Sequence, residues 1–305
     1  MTRAAPFARI TIIGLGLIGS SIARAVAVAW PDTQIVGYDV SDVVRERVSA
    51  LGLCNQIFDN AVDSARSAEL VILAVPVGAT QSVASSLIGH VPPDAIISDV
   101  GSSKASVAAI LRNSFPDHSI VPAHPVAGTE SSGPDAGFAS LFRGRWCILT
   151  PDADTPETVI ARVSALWAGV GAKVEIMDAQ HHDMVLAVTS HLPHLIAYTI
   201  VGTASDLEGV TTSDVIKYSA GGFRDFTRIA ASDPVMWRDV FLSNRDAVLD
   251  MLQRFSEDLS QLQRAIRWGD GDTLHALFSR TRAIRRSIVE QGQDDAAPDF
   301  GRKHS

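Results

Sequence analysis

Three glycines at a fixed spacing, Gly14-Leu15-Gly16-Leu17-Ile18-Gly19, follow the apolar run Ile10-Thr11-Ile12-Ile13, and an acid, Asp39, closes a second apolar run. This combination suits the binding of a dinucleotide. Gly14 permits a tight turn, Gly16 lets the backbone approach a pyrophosphate, and Gly19 lets the following helix pack closely on the strand. The helix start offers free N–H groups and a positive dipole end to phosphate. Asp39 can accept hydrogen bonds from both hydroxyls of an adenine ribose and would repel a 2′-phosphate, so NAD is favoured over NADP. Arg45 and Arg47 lie too far along the chain to read as an immediate 2′-phosphate clamp, although that role stays open to them. With 22 Gly in 305 residues, the three-glycine spacing arises by chance roughly 0.1 times per chain. The strand before, the helix after and the acid at its distance make the reading far more specific.

Hydride chemistry also needs a proton acceptor and a hold on the substrate. His124 stands in Val121-Pro-Ala-His-Pro-Val-Ala-Gly-Thr129-Glu130, just past an expected strand, where open α/β sheets bind their ligands. Pro125 holds it extended, and a neutral imidazole can accept a hydroxyl proton at physiological pH. On position alone a structural loop histidine remains the competing reading. The segment Ser98-Asp99-Val-Gly-Ser102-Ser103-Lys104 ends another expected strand and offers either donors to nicotinamide and substrate or a simple helix cap. Ser190-His191-Leu-Pro193-His194 carries two imidazoles on one helix face, without a third ligand at an obvious metal spacing; one contacts substrate or both pack locally. In Gly221-Gly-Phe-Arg224-Asp225-Phe-Thr-Arg228, helical spacing would let Asp225 pair with Arg228, whose planar fork suits a carboxylate, although an exposed charge pair reads equally from sequence. Trp237, taken alone, is a core aromatic.

These residues need a scaffold, and the hydrophobic pattern supplies one. From residue 9 to about 176, short apolar runs alternate with helix-length segments, with strands expected at 10–13, 35–38, 70–75, 95–98, 119–122, 146–150 and 173–176. Such alternation gives a Rossmann-type doubly wound, mostly parallel α/β sheet covered by helices. From 177 to 291 the pattern turns all-helical, with long runs at 181–206, 234–268 and 272–291, and residues 292–305 read as a disordered tail. Helices this apolar suggest burial against a second subunit. The formal charge of −8 argues against nucleic acid as the main partner. Two cysteines, Cys54 and Cys147, imply no disulfide framework and a reducing, cytoplasmic setting, and no uninterrupted apolar run is long enough to predict a membrane span.

Together the motifs resemble the prephenate/arogenate (cyclohexadienyl) dehydrogenase family of tyrosine biosynthesis. The carriers are Gly14 to Gly19, Asp99-Val-Gly-Ser-Ser-Lys104, His124-Pro-Val-Ala-Gly-Thr-Glu130, Ser190-His-Leu-Pro-His194 and Gly221 through Trp237, in family order over about residues 9–290. The resemblance implies an NAD-dependent oxidative decarboxylation that aromatises the ring of prephenate, arogenate or both. It implies that His124 accepts the 4-hydroxyl proton and that Ser102 orients the imidazole, the hydroxyl or the nicotinamide amide. Arg228 resembles the family's carboxylate-binding residue and His194 its side-chain contact, with Thr129, Trp237 and Gly221 also at the substrate, the last two from a partner subunit. Glu130 and Asp225 would form an ionic network around Arg228. Leu17, Ile18, Val75, Pro76 and Ser102 join Gly14, Gly16, Gly19 and Asp39 as implied cofactor contacts. The helical part would make a homodimer, with no metal required. Ser103 stands where many relatives carry Val, a harmless departure. No fused mutase segment or regulatory domain is expected. The alternatives are a β-hydroxyacid-type dehydrogenase, whose catalytic lysine Lys217 does not resemble in its setting, and a catalytically silent NAD sensor.

Overall fold

The computed structural model describes residues 4–129, 131–206 and 221–290. Its first elements alternate as the apolar pattern requires: β1 (Arg9–Ile13), α1 (Leu17–Ala29), β2 (Gln34–Tyr38), α2 (Asp42–Ala50), β3 (Gln56–Ile57), α3 (Ala61–Ala65), β4 (Leu70–Leu73), α4 (Thr80–Leu87), β5 (Ile96–Asp99), α5 (Ala105–Ser114) and β6 (Ser119–Ile120). The six strands pair in parallel in the order β3-β2-β1-β4-β5-β6. Neighbouring residues feed opposite faces. Ile12 and Ile72 belong to one buried cluster, and Ile13 and Leu73 to the other. That is why the central strands read as continuous apolar runs. The strand order reverses between β1 and β4, and the loops after these two strands therefore flank a crevice of the kind where such sheets bind ligands.

A second sheet follows, and the sequence pattern does not show it. The expected strand 119–122 ends early, and the chain passes into β7 (Ala123–Pro125), which pairs antiparallel with β8 (Trp146–Leu149). After α6 (Glu157–Gly169), β9 (Lys173–Ile176) adds in parallel to β8. His124 thus lies within a strand, opposite Ile148, rather than in a loop. Pro122 and Pro125 bracket it. Neither can donate to a ladder, but the Pro122 carbonyl accepts from Thr150 N at 2.9 Å, and β7 is an edge strand, where proline is tolerated.

Every described element after Ile176 is helical: α7 (Ala179–Leu186), a π-helical turn (Ala187–His191), α8 (Leu192–Asp206), α9 (Gly221–Thr227) running into a 3₁₀ turn (Arg228–Ala231), α10 (Pro234–Ser243), α11 (Arg245–Trp268) and α12 (Gly271–Glu290). Asp178 caps α7 by accepting from Gln180 N and His181 N. Asp233 caps α10 with Pro234 at its first position, a favoured start. The continuous helix expected over 234–268 is broken at Asn244, whose φ of −107° and ψ of 35° leave the helical region. Its side-chain amide donates to Asp183 O at 2.8 Å and approaches His191 Nδ1 at 3.1 Å, so tertiary hydrogen bonds, not a Gly or Pro, set the break.

By compactness the chain divides into units 1–249 and 250–305, whereas the change from alternating to helical structure falls at 176. In the second unit Leu259, Ile266, Trp268, Phe278, Ile284 and Ile288 are exposed. The helical run Ala179–Asp206 is long and apolar enough to cross a membrane by length and composition. It also carries His182, Asp183 and His191, all buried among polar partners described below. Lys217 and the tail 292–305 lie outside the described residues.

Candidate functional site

The glycine turn has the geometry its sequence requires. Gly14 adopts φ 95°, and a Cβ there would lie 2.4 Å from the Ala74 carbonyl oxygen in the loop after β4. A Cβ on Gly19 would fall 1.9 Å from the Gly14 carbonyl, so α1 can sit this close only because residue 19 is glycine. A Cβ on Gly16, by contrast, would meet nothing within 4 Å. Open space before a helix N-terminus is what a pyrophosphate needs, and the residues present fit a dinucleotide. Leu17 and Ile18, both half-buried, begin α1, while Val75 stands beside Gly14 and Pro76 is exposed at the loop rim.

Asp39, just past the end of β2, accepts from Leu15 N at 2.8 Å and from Ser41 N at 2.9 Å, tying that end of β2 to the glycine turn. Arg45 is closer than its sequence distance suggests. Its guanidinium folds back to donate to the Asp39 carbonyl at 2.7 Å and pairs with Asp42.

Around His124 the structure gathers residues from four elements. Asp99 ends β5 and Lys104 immediately precedes α5; both are buried and form an ion pair. Asp99 also accepts from Gly101 N at 2.7 Å and from Ala123 N at 3.3 Å, and Lys104 Nζ donates to Ala123 O at 2.7 Å. The loop bearing Ser102 is thereby fixed to the residue just before His124. Burial pushes Asp99 up and Lys104 down toward their neutral forms, against their mutual attraction. The cap of α5 is neither Asp99 nor a serine. Asp183 of α7 accepts from Lys104 N at 2.7 Å and Ala105 N at 2.9 Å. The same carboxylate meets His182 Nδ1 at 2.8 Å, and His182 Nε2 meets His124 Nδ1 at 2.8 Å. His182 and Asp183 were not singled out by sequence reasoning, because His181-His182-Asp183 at the head of an apolar helix looks like an ordinary polar first turn.

The substrate-binding candidates lie on the next helical segments. His191, fully buried in the π turn, takes a hydrogen bond from Asn244, and its Nε2 has no well-formed partner among the described residues although the Ser102 backbone lies close by. His194 stacks on Trp237 at 3.6 Å between ring centroids, and His191 meets the same indole edge-on at 6.0 Å. Trp237 is therefore packed against His194 of its own chain, with Nε1 buried and unbonded among the described residues. His194 Nδ1 donates to Ser190 O at 2.8 Å, and the Arg228 charge lies near enough to lower its basicity, after burial. Arg228 is exposed in the 3₁₀ turn. Asp225 lies on α9 with Arg224 Nε at 3.9 Å, and Gly221 opens that helix near the Asp225 carboxylate. Exposed Thr129 lines a cavity of about 320 Å³ together with Arg143 and Arg145, past β7. Glu130 lies outside the described residues. Among the described residues no three His, Cys, Asp or Glu side chains converge as a metal site.

Burial governs the protonation of these imidazoles. His124 is held well below the usual histidine value, first by desolvation and then by His182, Lys104 and His191. His182 is lowered mainly by burial, and His191 to about 4 for the same reason. A histidine depressed in the folded state is neutral in both states above about pH 6.5. Below that the unfolded chain binds more protons, so stability falls as pH drops toward the folded value. His191 alone should cost about 3 kcal/mol between pH 6.5 and 4. Urea unfolding across this range should show the loss, and His191→Gln should flatten the slope by about one proton; an unchanged slope would remove His191 from this role.

A parallel sheet with an open glycine cradle at its switch point, in a chain that also buries a neutral imidazole on a second sheet, defines a dinucleotide-dependent dehydrogenase. Residues 22–176 match the nucleotide-binding domain of prephenate dehydrogenase and residues 178–280 its dimerization domain. The chain belongs to the prephenate dehydrogenase family. It is 47% identical to a cyclohexadienyl dehydrogenase of Zymomonas mobilis over 92% of this chain and 96% of that protein. It is 33% identical to the prephenate dehydrogenase of Bacillus subtilis over 95% of this chain and 78% of that one. Among solved structures, prephenate dehydrogenase from A. aeolicus, in complex with hydroxyphenyl propionate and NAD+, superposes with a TM-score of 0.85 at 33% identity, covering 92% of this chain and 98% of that one.

Proposed function

We propose that this protein is an NAD-dependent cyclohexadienyl dehydrogenase that oxidatively decarboxylates prephenate, arogenate or both. The observation that carries the reading is His124, neutral and fixed on β7, joined through His191, Trp237 and His194 to the neighbourhood of Arg228. When bound, NAD supplies the hydride acceptor. Gly14, Gly16, Gly19 and the start of α1 hold its pyrophosphate, Asp39 its adenine ribose, and Val75, Pro76 and Ser102 flank its nicotinamide end. His124 accepts the proton of the ring 4-hydroxyl as hydride leaves the carbon that bears it. The bond to the ring carboxylate breaks, CO2 departs, and its electron pair completes the aromatic ring. The proton returns to the phenolic oxygen. Ser102 orients the hydroxyl, Arg228 holds a substrate carboxylate, and His194 with Trp237 packs against the rest of the substrate. Thr129 and Gly221 border the site, and Glu130 and Asp225 complete an ionic network around Arg228. Neither the β-hydroxyacid alternative nor the silent sensor draws support from the relatives above.

The protein acts as a homodimer through its helical part, whose exposed Met184, Val188, Ile200 and Val201 lie on the apolar run 179–206. It works in the cytoplasm, in keeping with Cys54 and Cys147 as unpaired thiols, Cys54 pushed up to about 12 by burial. Following NADH formation with each substrate should show turnover with at least one. NAD should be preferred over NADP by about 10²-fold or more, because a 2′-phosphate would face the Asp39 carboxylate. Asp39→Ser should narrow that preference, since Arg45 already sits beside the site. No turnover with either substrate would refute the assignment.

A further inference from the structure

We infer that His182 and Asp183 are positioning residues that fix the tautomer of His124, leaving Nε2 as the nitrogen that takes the substrate proton. The inference rests on the reading of His124 as the base and goes beyond it to the atom that acts. The direction of each hydrogen bond follows from the far end of the chain. Asp183 accepts from Lys104 N and Ala105 N at the start of α5, as an ionised carboxylate does, so it accepts from His182 Nδ1 as well. A neutral His182 with its proton on Nδ1 has a bare Nε2. That atom can only accept, so His124 Nδ1 donates to it across 2.8 Å. The remaining nitrogen of His124, Nε2, then carries a lone pair, and it makes no hydrogen bond among the described residues. Burial keeps His182 neutral; as an imidazolium it would reverse the order.

The arrangement also distributes charge. When His124 Nε2 gains the 4-hydroxyl proton, the positive ring is bonded through His182 to a carboxylate that the N-terminus of α5 stabilises. His182 and Asp183 are almost completely buried, at 0% and 4% exposure, so this coupling is poorly screened. The other groups facing the imidazole are Lys104 beside α5, Asp99 at the end of β5, and His191 in the π turn. None of these bonds to either ring nitrogen of His124.

Asp183→Asn tests the inference, because it removes the anion, and an amide NH2 in place of Oδ1 would invert both tautomers through His182 Nδ1 while losing the bond from Lys104 N and keeping only that from Ala105 N. The expected result is a kcat lowered by about 10²–10⁴-fold, with KM and NAD affinity within about threefold of the parent protein. The acid limb of the kcat profile should move to lower pH, since an anion that favours imidazolium is gone. Nitrogen-15 NMR of the histidine-labelled parent protein, assigned with His124→Asn, reads the tautomer without turnover. It should show His124 protonated on Nδ1 and bare on Nε2. A folded Asp183→Asn protein with kcat within threefold of the parent, or a parent spectrum with the His124 proton on Nε2, would overturn the inference. The spectrum keeps the test decisive if Asp183→Asn does not fold. It also separates the two claims: a parent protein inactive on both substrates fails the proposed function whatever tautomer it shows.

Discussion

His124→Asn is expected to lower kcat by about 10²–10⁴-fold, the usual contribution of a positioned general base. Asparagine fills part of the same space between Ala123 and Pro125 but cannot take a proton. Its effect should fall on kcat rather than on cofactor affinity, because the nucleotide cradle is built by the loops after β1 and β4, and His124 belongs to the second sheet. Steady-state kinetics together with NAD titration by fluorescence would separate the two. The pH profile of the parent enzyme adds a second check. Burial and the neighbouring His182, Lys104 and His191 hold His124 well below the ordinary histidine value. The neutral, proton-accepting form therefore persists on the acid side of pH 6.5, and kcat should fall only well below it. A kcat unchanged in His124→Asn would remove this residue from its proposed role.

What sequence could and could not show follows from how local each constraint is. The glycine turn was readable because its requirements are steric and contained within a few residues: a positive φ at Gly14 and a helix pressed on its carbonyl at Gly19. Five of the six parallel strands were readable because strands buried on both faces carry unbroken apolar runs; β3, only Gln56 and Ile57 and not buried, carries no such run and was not. β7 was not, since three residues between prolines show no periodicity and acquire strand geometry only by pairing with β8, more than twenty residues away. His182 and Asp183 stayed hidden for a similar reason. Their partners, His124 and the first amides of α5, lie 58 and 79 residues back along the chain. The break at Asn244 carries no breaker residue and is set by its bonds to Asp183 and His191. Arg45 shows how a sequence distance of six positions says little by itself, since one helical turn brings its guanidinium back to the Asp39 carbonyl.

Arg228→Ala should raise KM about 10²-fold if a charge-assisted pair with a substrate carboxylate is worth about 3 kcal/mol. The direction follows from the chemistry of the contact. A carboxylate that does not leave as CO2 is held equally in the ground and transition states, so loss of its partner weakens binding more than it slows the chemical step. The neighbouring side chains make the site selective for that charge. His194 is lowered by burial and by Arg228 itself, which favours its neutral form and would leave the guanidinium as the cation there. Arg228→Lys should restore only part of the affinity, because a point charge cannot reproduce the planar two-pronged contact. His194 also stacks on Trp237, so a truncation at 194 would disturb packing as well as charge, and Arg228 gives the cleaner measurement. NAD affinity should be unaltered in both Arg228 variants, since the cradle residues lie on other elements. If Arg228→Ala keeps its substrate KM within a few-fold of the parent enzyme, the carboxylate must be held elsewhere, and the basic cavity past β7, with Arg143 and Arg145 beside Thr129, becomes the place to look.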